Sequence, residues 1–263
     1  MLRRLALAGM VALLMGVAPL AQTPEPAQDN SIEEVRTRAN AGDTESQYVL
    51  GHMFLLGLGG LQDYVEAAEW FRKAAEQGHA EAQFNLGLMH HFGQDVPQDD
   101  VEAVAWYRKA AEQGYADAQF YLGFMYDNGQ GVPQDDVEAA AWYHKAAEQG
   151  YADAQNTLGF MYADGEGVSP DVVEAVAWFR KAAEQGLSSA QFNLGLAHAN
   201  GEGAPQDNVE AYKWLNLAAT FADASTREEF VDVRDSVAGR LTPQQLDEGQ
   251  KLAREWFASQ QLE

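Results

Sequence analysis

The chain of 263 residues carries 17 Lys and Arg against 40 Asp and Glu, a formal charge of −23, and no cysteine. Such a surface repels phosphate backbones, which argues against a nucleic-acid partner and favours basic ones. Without thiols there is no disulfide, thiolate zinc site or cysteine nucleophile, while a hydrophobic content of 46% is that of a folded chain.

At the amino terminus Arg3 and Arg4 precede an uncharged apolar run, Leu5 to Leu20, closed by the small-residue stretch Ala18-Pro19-Leu20-Ala21. That order reads as a secretory signal peptide over 1–21, cut near Ala21, and predicts a periplasmic or secreted protein. The run is shorter than the ~20 residues that span a bilayer comfortably, so an uncleaved anchor is the alternative, and no stable membrane insertion is expected after cleavage. Pro24 and Pro26 mark 22–30 as a flexible linker. Ser31 with Glu34 forms a capping box for a short polar helix over 31–42, which reads as the second helix of a repeat lacking its first.

From 43 to 222 the sequence repeats itself. Trp70, Trp106, Trp142, Trp178 and Trp214 are spaced by 36 residues, as are Gly51, Gly87, Gly123, Gly159 and Gly195. Such a period, sustained over five units, predicts a stack of helical pairs. In the third unit the first helix runs from about Ala116 to Tyr126, with Ala118, Leu122 and Met125 on one stripe. Gly123 sits inside it at a local cost of about 1 kcal/mol, which implies close approach of a neighbour, with the second helix's tryptophan as the obvious ring. Asp127 to Gln134 connects, Asp135 caps the second helix with Glu138 as its box partner, and Gly150 closes that helix as a left-handed cap. Trp142 fills the volume between units. Over 223–263 the pattern drifts into two capping helices: one from the Ser225/Glu228 box to about Ala238, and one from Thr242-Pro243-Gln244-Gln245 to about Ser259. They should cover the exposed face of the fifth unit.

The unit Ala118, Leu122, Gly123, Met125, Tyr126, Gly129, Gly131, Val132, Asp135, Ala139, Trp142, Lys145, Ala146, Ala147, Glu148, Gly150 closely resembles the Sel-one-like repeat, a relative of the tetratricopeptide repeat. The resemblance implies an all-α fold: a right-handed α/α superhelical solenoid of five helix-turn-helix repeats with a helical cap at each end. It further implies a concave ligand-binding side and a scaffold or adaptor role in envelope, signalling or host-contact processes. Departures are Asp95 in place of the second loop glycine, Gly59-Gly60-Leu61 in the first loop, and Ser169-Pro170. A disulfide-bonded branch of that family is linked to penicillin binding, which a cysteine-free chain does not inherit.

Catalytic constellations are poor. Gly167-Val168-Ser169-Pro170-Asp171 lacks the second glycine of a nucleophile elbow. His79-Ala80-Glu81 lacks the cysteines a deaminase needs. His90 and His91 are adjacent and so point about 100° apart on a helix, and His90 shares the position of Tyr126, Tyr162 and His198, which is a packing place. Asp127 to Glu138 has glycines where a calcium loop needs ligands and Val132 where it needs its turn glycine. No catalytic residue, metal or cofactor is expected.

A binding face is the stronger candidate. Positions that are identical in every unit are explained by stacking, and positions that differ are free to serve a ligand. By analogy with tetratricopeptide repeats, the inward places of the first helices hold Tyr48 and His52; Phe84, Leu88 and His91; Phe120, Phe124 and Asp127; Phe160; and Phe192. Glu45, Glu81, Asp117 and Asp153 form an acidic rim. The alternative is that Phe84, Phe120 and Phe192 simply pack against the neighbouring helix. The expected function is non-enzymatic protein or peptide binding in the cell envelope, to a partner with basic flanks. The alternatives are an envelope hydrolase and a glycan- or peptidoglycan-binding module. The partner's identity and the oligomeric state are not written in the sequence.

Overall fold

The computed structural model describes residues 32–58, 62–94 and 96–260, among which thirteen α-helices and no strand occur. The expected signal peptide, the 22–30 linker, the Ser31 cap, the first-loop Gly59-Gly60-Leu61 and Asp95 lie outside the described residues. Helix α1 is Ile32–Asn40. The five units that follow contribute α2 (Thr44–Leu56) with α3 (Tyr64–Glu76), α4 (Ala80–Phe92) with α5 (Asp100–Glu112), α6 (Ala116–Asn128) with α7 (Asp136–Glu148), α8 (Ala152–Asp164) with α9 (Val172–Glu184), and α10 (Ser188–Asn200) with α11 (Asn208–Phe221). Two more close the chain, α12 (Arg227–Ala238) and α13 (Pro243–Gln260). The chain divides into two compact units between Ala146 and Ala147.

In the first compact unit the notch at the repeated glycine decides how each pair closes. A Cβ on Gly51 would stand 2.7 Å from Phe71, on Gly87 2.6 Å from Tyr107, and on Gly123 2.9 Å from Tyr143. The ring in the notch is therefore the residue after the tryptophan, not the tryptophan expected from the sequence. Trp70 and Trp106 instead reach back. Trp70 is buried with Val35 and Ala39 of α1 and Leu50, and Trp106 with α3 and α4. A lysine caps each indole face: Lys73 Nζ stands 3.6 Å above Trp70 and Lys109 Nζ 3.6 Å above Trp106, a geometry worth about 0.5–2 kcal/mol.

A buried glutamine ties unit to unit. The side-chain amide of Gln47 donates to the Ala39 carbonyl, that of Gln83 to Ala75 and that of Gln119 to Ala111, at 3.0–3.1 Å. Gln77 and Gln113 in turn donate to the Oε1 atoms of Gln47 and Gln83. These bonds occupy helix-end carbonyls that lack an intrahelical partner. Because Ala39 receives Gln47 as Ala75 receives Gln83, α1 stands in the place of a second helix of a preceding unit.

Second helices begin as expected at an aspartate. Asp99 Oδ1 accepts from the Val101 and Glu102 amides and Asp135 Oδ1 from Val137 and Glu138, all at 3.0–3.1 Å. The reciprocal half of the expected box is replaced: the Asp135 amide donates to the Tyr126 carbonyl, and the Asp99 amide to His90. Gly150 has φ +90, the left-handed conformation expected of it. Gly131 (φ +67) lies so close to the Asp100 carbonyl that a Cβ has no room, which seats the loop of the third unit on α5.

The second compact unit repeats these devices and adds a terminal cover. Gln155 and Gln191 donate to the Ala147 and Ala183 carbonyls, and Gly195 receives Leu215. Phe230 of α12 stacks on Phe192 at 4.2 Å, Trp256 of α13 meets Trp214 edge-on at 6.0 Å, and Gly249 lets α13 approach Tyr212. The Thr242 box forms in full, with the Thr242 amide donating to Gln245 Oε1 and the Gln245 amide to Thr242 Oγ1. The Ser225 box does not form. Asp223 Oδ1 gathers the amides and hydroxyls of Ser225 and Thr226, and α12 starts only at Arg227.

Candidate binding face of the first helices

The ten residues proposed from the sequence separate into three registers. Phe84, Phe120 and Phe192 are 8%, 3% and 3% exposed, so they are core and not surface. Phe84 packs on Tyr107, Tyr115 and Tyr121, Phe120 on Tyr143, and Phe192 on Phe230. This corrects their placement on the binding face: the register faces the neighbouring second helix. Tyr48, the fourth of that register, stays half-buried.

One turn on, His52, Leu88, Phe124 and Phe160 are all half-buried. His52 lies edge-on to Phe71 at 5.2 Å and Phe160 edge-on to Phe179 at 5.2 Å, so one side of each rests on the ring that fills the glycine notch. The third register holds His91 and Asp127, also half-buried. His91 Nδ1 is 2.7 Å from Asp100 Oδ1, and its ring is 6.4 Å from Phe124. His90 is buried and 3.3 Å from the Arg72 guanidinium, and His198 is 3.3 Å from Arg180, which is the packing role expected of that position.

The start of the face carries residues that sequence reasoning left out of the site. His79 and Tyr115 occupy the N-cap positions of α4 and α6, where Asp43 stands in α2. Aromatic residues where Ser, Thr, Asp or Asn are favoured were the available signal. Tyr48 stacks on His79 at 4.4 Å and stands edge-on to His52 at 4.7 Å. His79 lies 3.2 Å from both Glu45 and Glu81, and the Asn85 amide lies 3.1 Å from His52 Nε2. Burial, reinforced by Glu81 and Glu45, pushes the Tyr48 hydroxyl up to about 12. Burial raises Asp117 and Tyr115 above their ordinary values and, with His79, lowers His52. The arrangement offers ring faces and carboxylates. Among the described residues no group of three or more His, Cys, Asp or Glu is placed to hold a metal ion.

The Sel1 repeat model matches five consecutive segments, 44–79, 80–115, 116–151, 152–187 and 188–220. The chain belongs to the Sel1-repeat family. Its fold is the helical all-α solenoid of that family. Among solved structures, a Sel1 repeat protein from Oxalobacter formigenes is 32% identical over 88% of this chain and 93% of its own, with a TM-score of 0.74. A protective antigen of uropathogenic Escherichia coli strains displaying an SLR fold is 33% identical over 86% of this chain, with a TM-score of 0.56. This chain spans 56% of that antigen's length. No curated protein matches the chain. Sel1-repeat proteins are generally non-enzymatic scaffolds that bind other proteins. Among the described residues no helix is long and apolar enough to cross a membrane.

Proposed function

We propose that this chain is an exported, non-enzymatic scaffold that takes a protein or peptide partner on the first-helix faces of its Sel1 repeats. The observation that supports the reading is the division of labour within those helices. Positions that recur identically, such as Gln83 and Gly87, are consumed by stacking, while the half-open His52, Leu88 and Phe124 differ from unit to unit. Side chains that stacking does not dictate, yet that stay apolar or aromatic at a half-exposed place, fit anchors for a partner. The amino-terminal run of 1–21 supports export.

The test is a crosslinking pull-down from the native envelope with wild type and a Leu88→Ser, Phe124→Ser double variant. The variant should keep its helical circular dichroism and lose the captured partner. Capture by both alike would overturn the reading. Intact mass of chain recovered from the envelope should show a mature terminus near Gln22.

A further inference from the structure

Between α1, α2 and α3 lies a cleft of about 400 Å³, lined by Arg36, Asn40, Phe54, Asp63, Glu66 and Trp70. One register of the repeat explains its chemistry. Arg72, Arg108 and Arg180 each meet a ring that can bond them: His90 Nε2 at 3.3 Å, the Tyr126 hydroxyl at 2.7 Å and His198 Nε2 at 3.3 Å. Arg36 holds the same place but meets Phe54, which has no acceptor, and its guanidinium stands 6.0 Å from the ring centre. Its ion pair is with Glu33 of the same helix, at 3.2 Å and with 78% of the glutamate side chain exposed, so water competes for it. The neighbouring indole differs in the same way. Trp106 Nε1 donates to Glu102 at 2.8 Å, whereas among the described residues nothing accepts from Trp70 Nε1. At the start of α3, Asp63 Oδ1 accepts from the Val65 and Glu66 amides, and among the described residues no lysine or arginine pairs with Asp63 or Glu66. A first-turn acid answers the helix dipole, which accounts for those two carboxylates. It does not account for a guanidinium and an indole N–H that lack acceptors beside the Phe54 ring.

We infer that this cleft binds a small zwitterion with an apolar side chain, a free amino acid or a dipeptide. The ligand's carboxylate pairs with Arg36 and accepts from Trp70 Nε1, its ammonium meets Asp63 and Glu66, and its side chain lies on Phe54. Charge complementarity selects the class. A guanidinium offers a carboxylate two parallel bonds, and an ammonium needs acceptors, which α3 supplies. A plain anion would meet Asp63 and Glu66, and a plain cation would meet Arg36, so only a ligand carrying both charges is favoured throughout. A volume of about 400 Å³ falls within the range of small-ligand sites. The inference goes beyond the scaffold reading and shares no residue with the first-helix face, so each can fail alone.

Isothermal titration of the full chain with L-leucine and with L-leucyl-L-leucine tests this, with N-acetyl-L-leucinamide as the uncharged control. At least one zwitterion should saturate the site below about 10 mM, and the tighter of the two fixes the length of the ligand. The control should bind at least about ten-fold more weakly, because it makes neither charge-assisted contact. Arg36→Gln and Glu66→Gln should each weaken binding about ten-fold. Arg38→Gln removes the same charge from a half-exposed side chain of the same helix and should alter it less than about two-fold. Phe54→Tyr gives Arg36 the hydroxyl that Tyr126 gives Arg108, so it should weaken binding about ten-fold while the circular dichroism stays helical. In unmodified protein the Trp70 indole N–H resonance should shift on titration. Failure of both zwitterions to bind would overturn the inference, as would equal binding of the control. Equal effects of Arg36→Gln and Arg38→Gln, or wild-type affinity in Phe54→Tyr, would do the same. Should a variant lose its helical spectrum, the unmodified protein decides: a Trp70 resonance that stays constant sinks the assignment.

Discussion

Gly87 shows how a single missing side chain fixes the geometry of a unit. An alanine there would gain about 1 kcal/mol of helix propensity, yet its Cβ would meet the Tyr107 ring at 2.6 Å and the Ala103 carbonyl at 3.3 Å. Overpacking of that kind costs about 1–3 kcal/mol, and Tyr107 is fully buried with nowhere to retreat. Gly87→Ala should therefore destabilise by about 1–2 kcal/mol in urea unfolding. In a Tyr107→Ala background the same change should become neutral or stabilising, because only the helix preference remains. The repeated glycine was legible as a place of close approach, but its occupant was not. Trp106 and Tyr107 are neighbours on one helix, about 100° apart, and a period of 36 fixes neither which of them turns inward nor towards which helix. The same ambiguity misplaced Phe84, Phe120 and Phe192. Their stripe was visible, while the side from which the next helix approaches was not.

At the scale of the element, the start of each second helix illustrates what local signals can and cannot carry. The aspartate cap was readable because a short side chain and its own following amides settle it within one turn. The glutamate three residues on looked like its partner. The structure gives the cap's amide to a carbonyl of the preceding helix, and Glu102 Oε1 instead accepts from Trp106 Nε1 at 2.8 Å. Tertiary contact took over one half of a local motif, and no window of sequence displays that. Asp99→Ala should cost about 1 kcal/mol. A double-mutant cycle of Asp99→Ala with Glu102→Ala should show coupling below about 0.5 kcal/mol, since the two side chains hold different groups. Coupling of about 1 kcal/mol or more would restore the reciprocal box. Thr242 and Gln245 are the internal contrast, because there no preceding helix claims the cap's amide and the box forms in full.

For the molecule as a whole, stability should be a sum over neighbours. Each helical pair hides its apolar side only against the adjacent pairs, so a disturbance at one end weakens with distance in units. Removing α12 and α13 by ending the chain after Ala222 provides the test. Phe192 would lose its stack on Phe230, Trp214 its contact with Trp256, and Tyr212 its cover at Gly249. Losing burial for three aromatic side chains corresponds to several kcal/mol, roughly 1.5–3 for each ring fully uncovered. That loss falls on α10 and α11, which contact α12 and α13 directly. Native-state hydrogen exchange should then show protection collapsing in α10 and α11 while amides of α2 to α5 keep theirs, because their notches, glutamine bonds and indole contacts are satisfied within their own compact unit. Uniform loss of protection along the chain would instead mean one indivisible cooperative core, and the neighbour-by-neighbour account of this fold would fail.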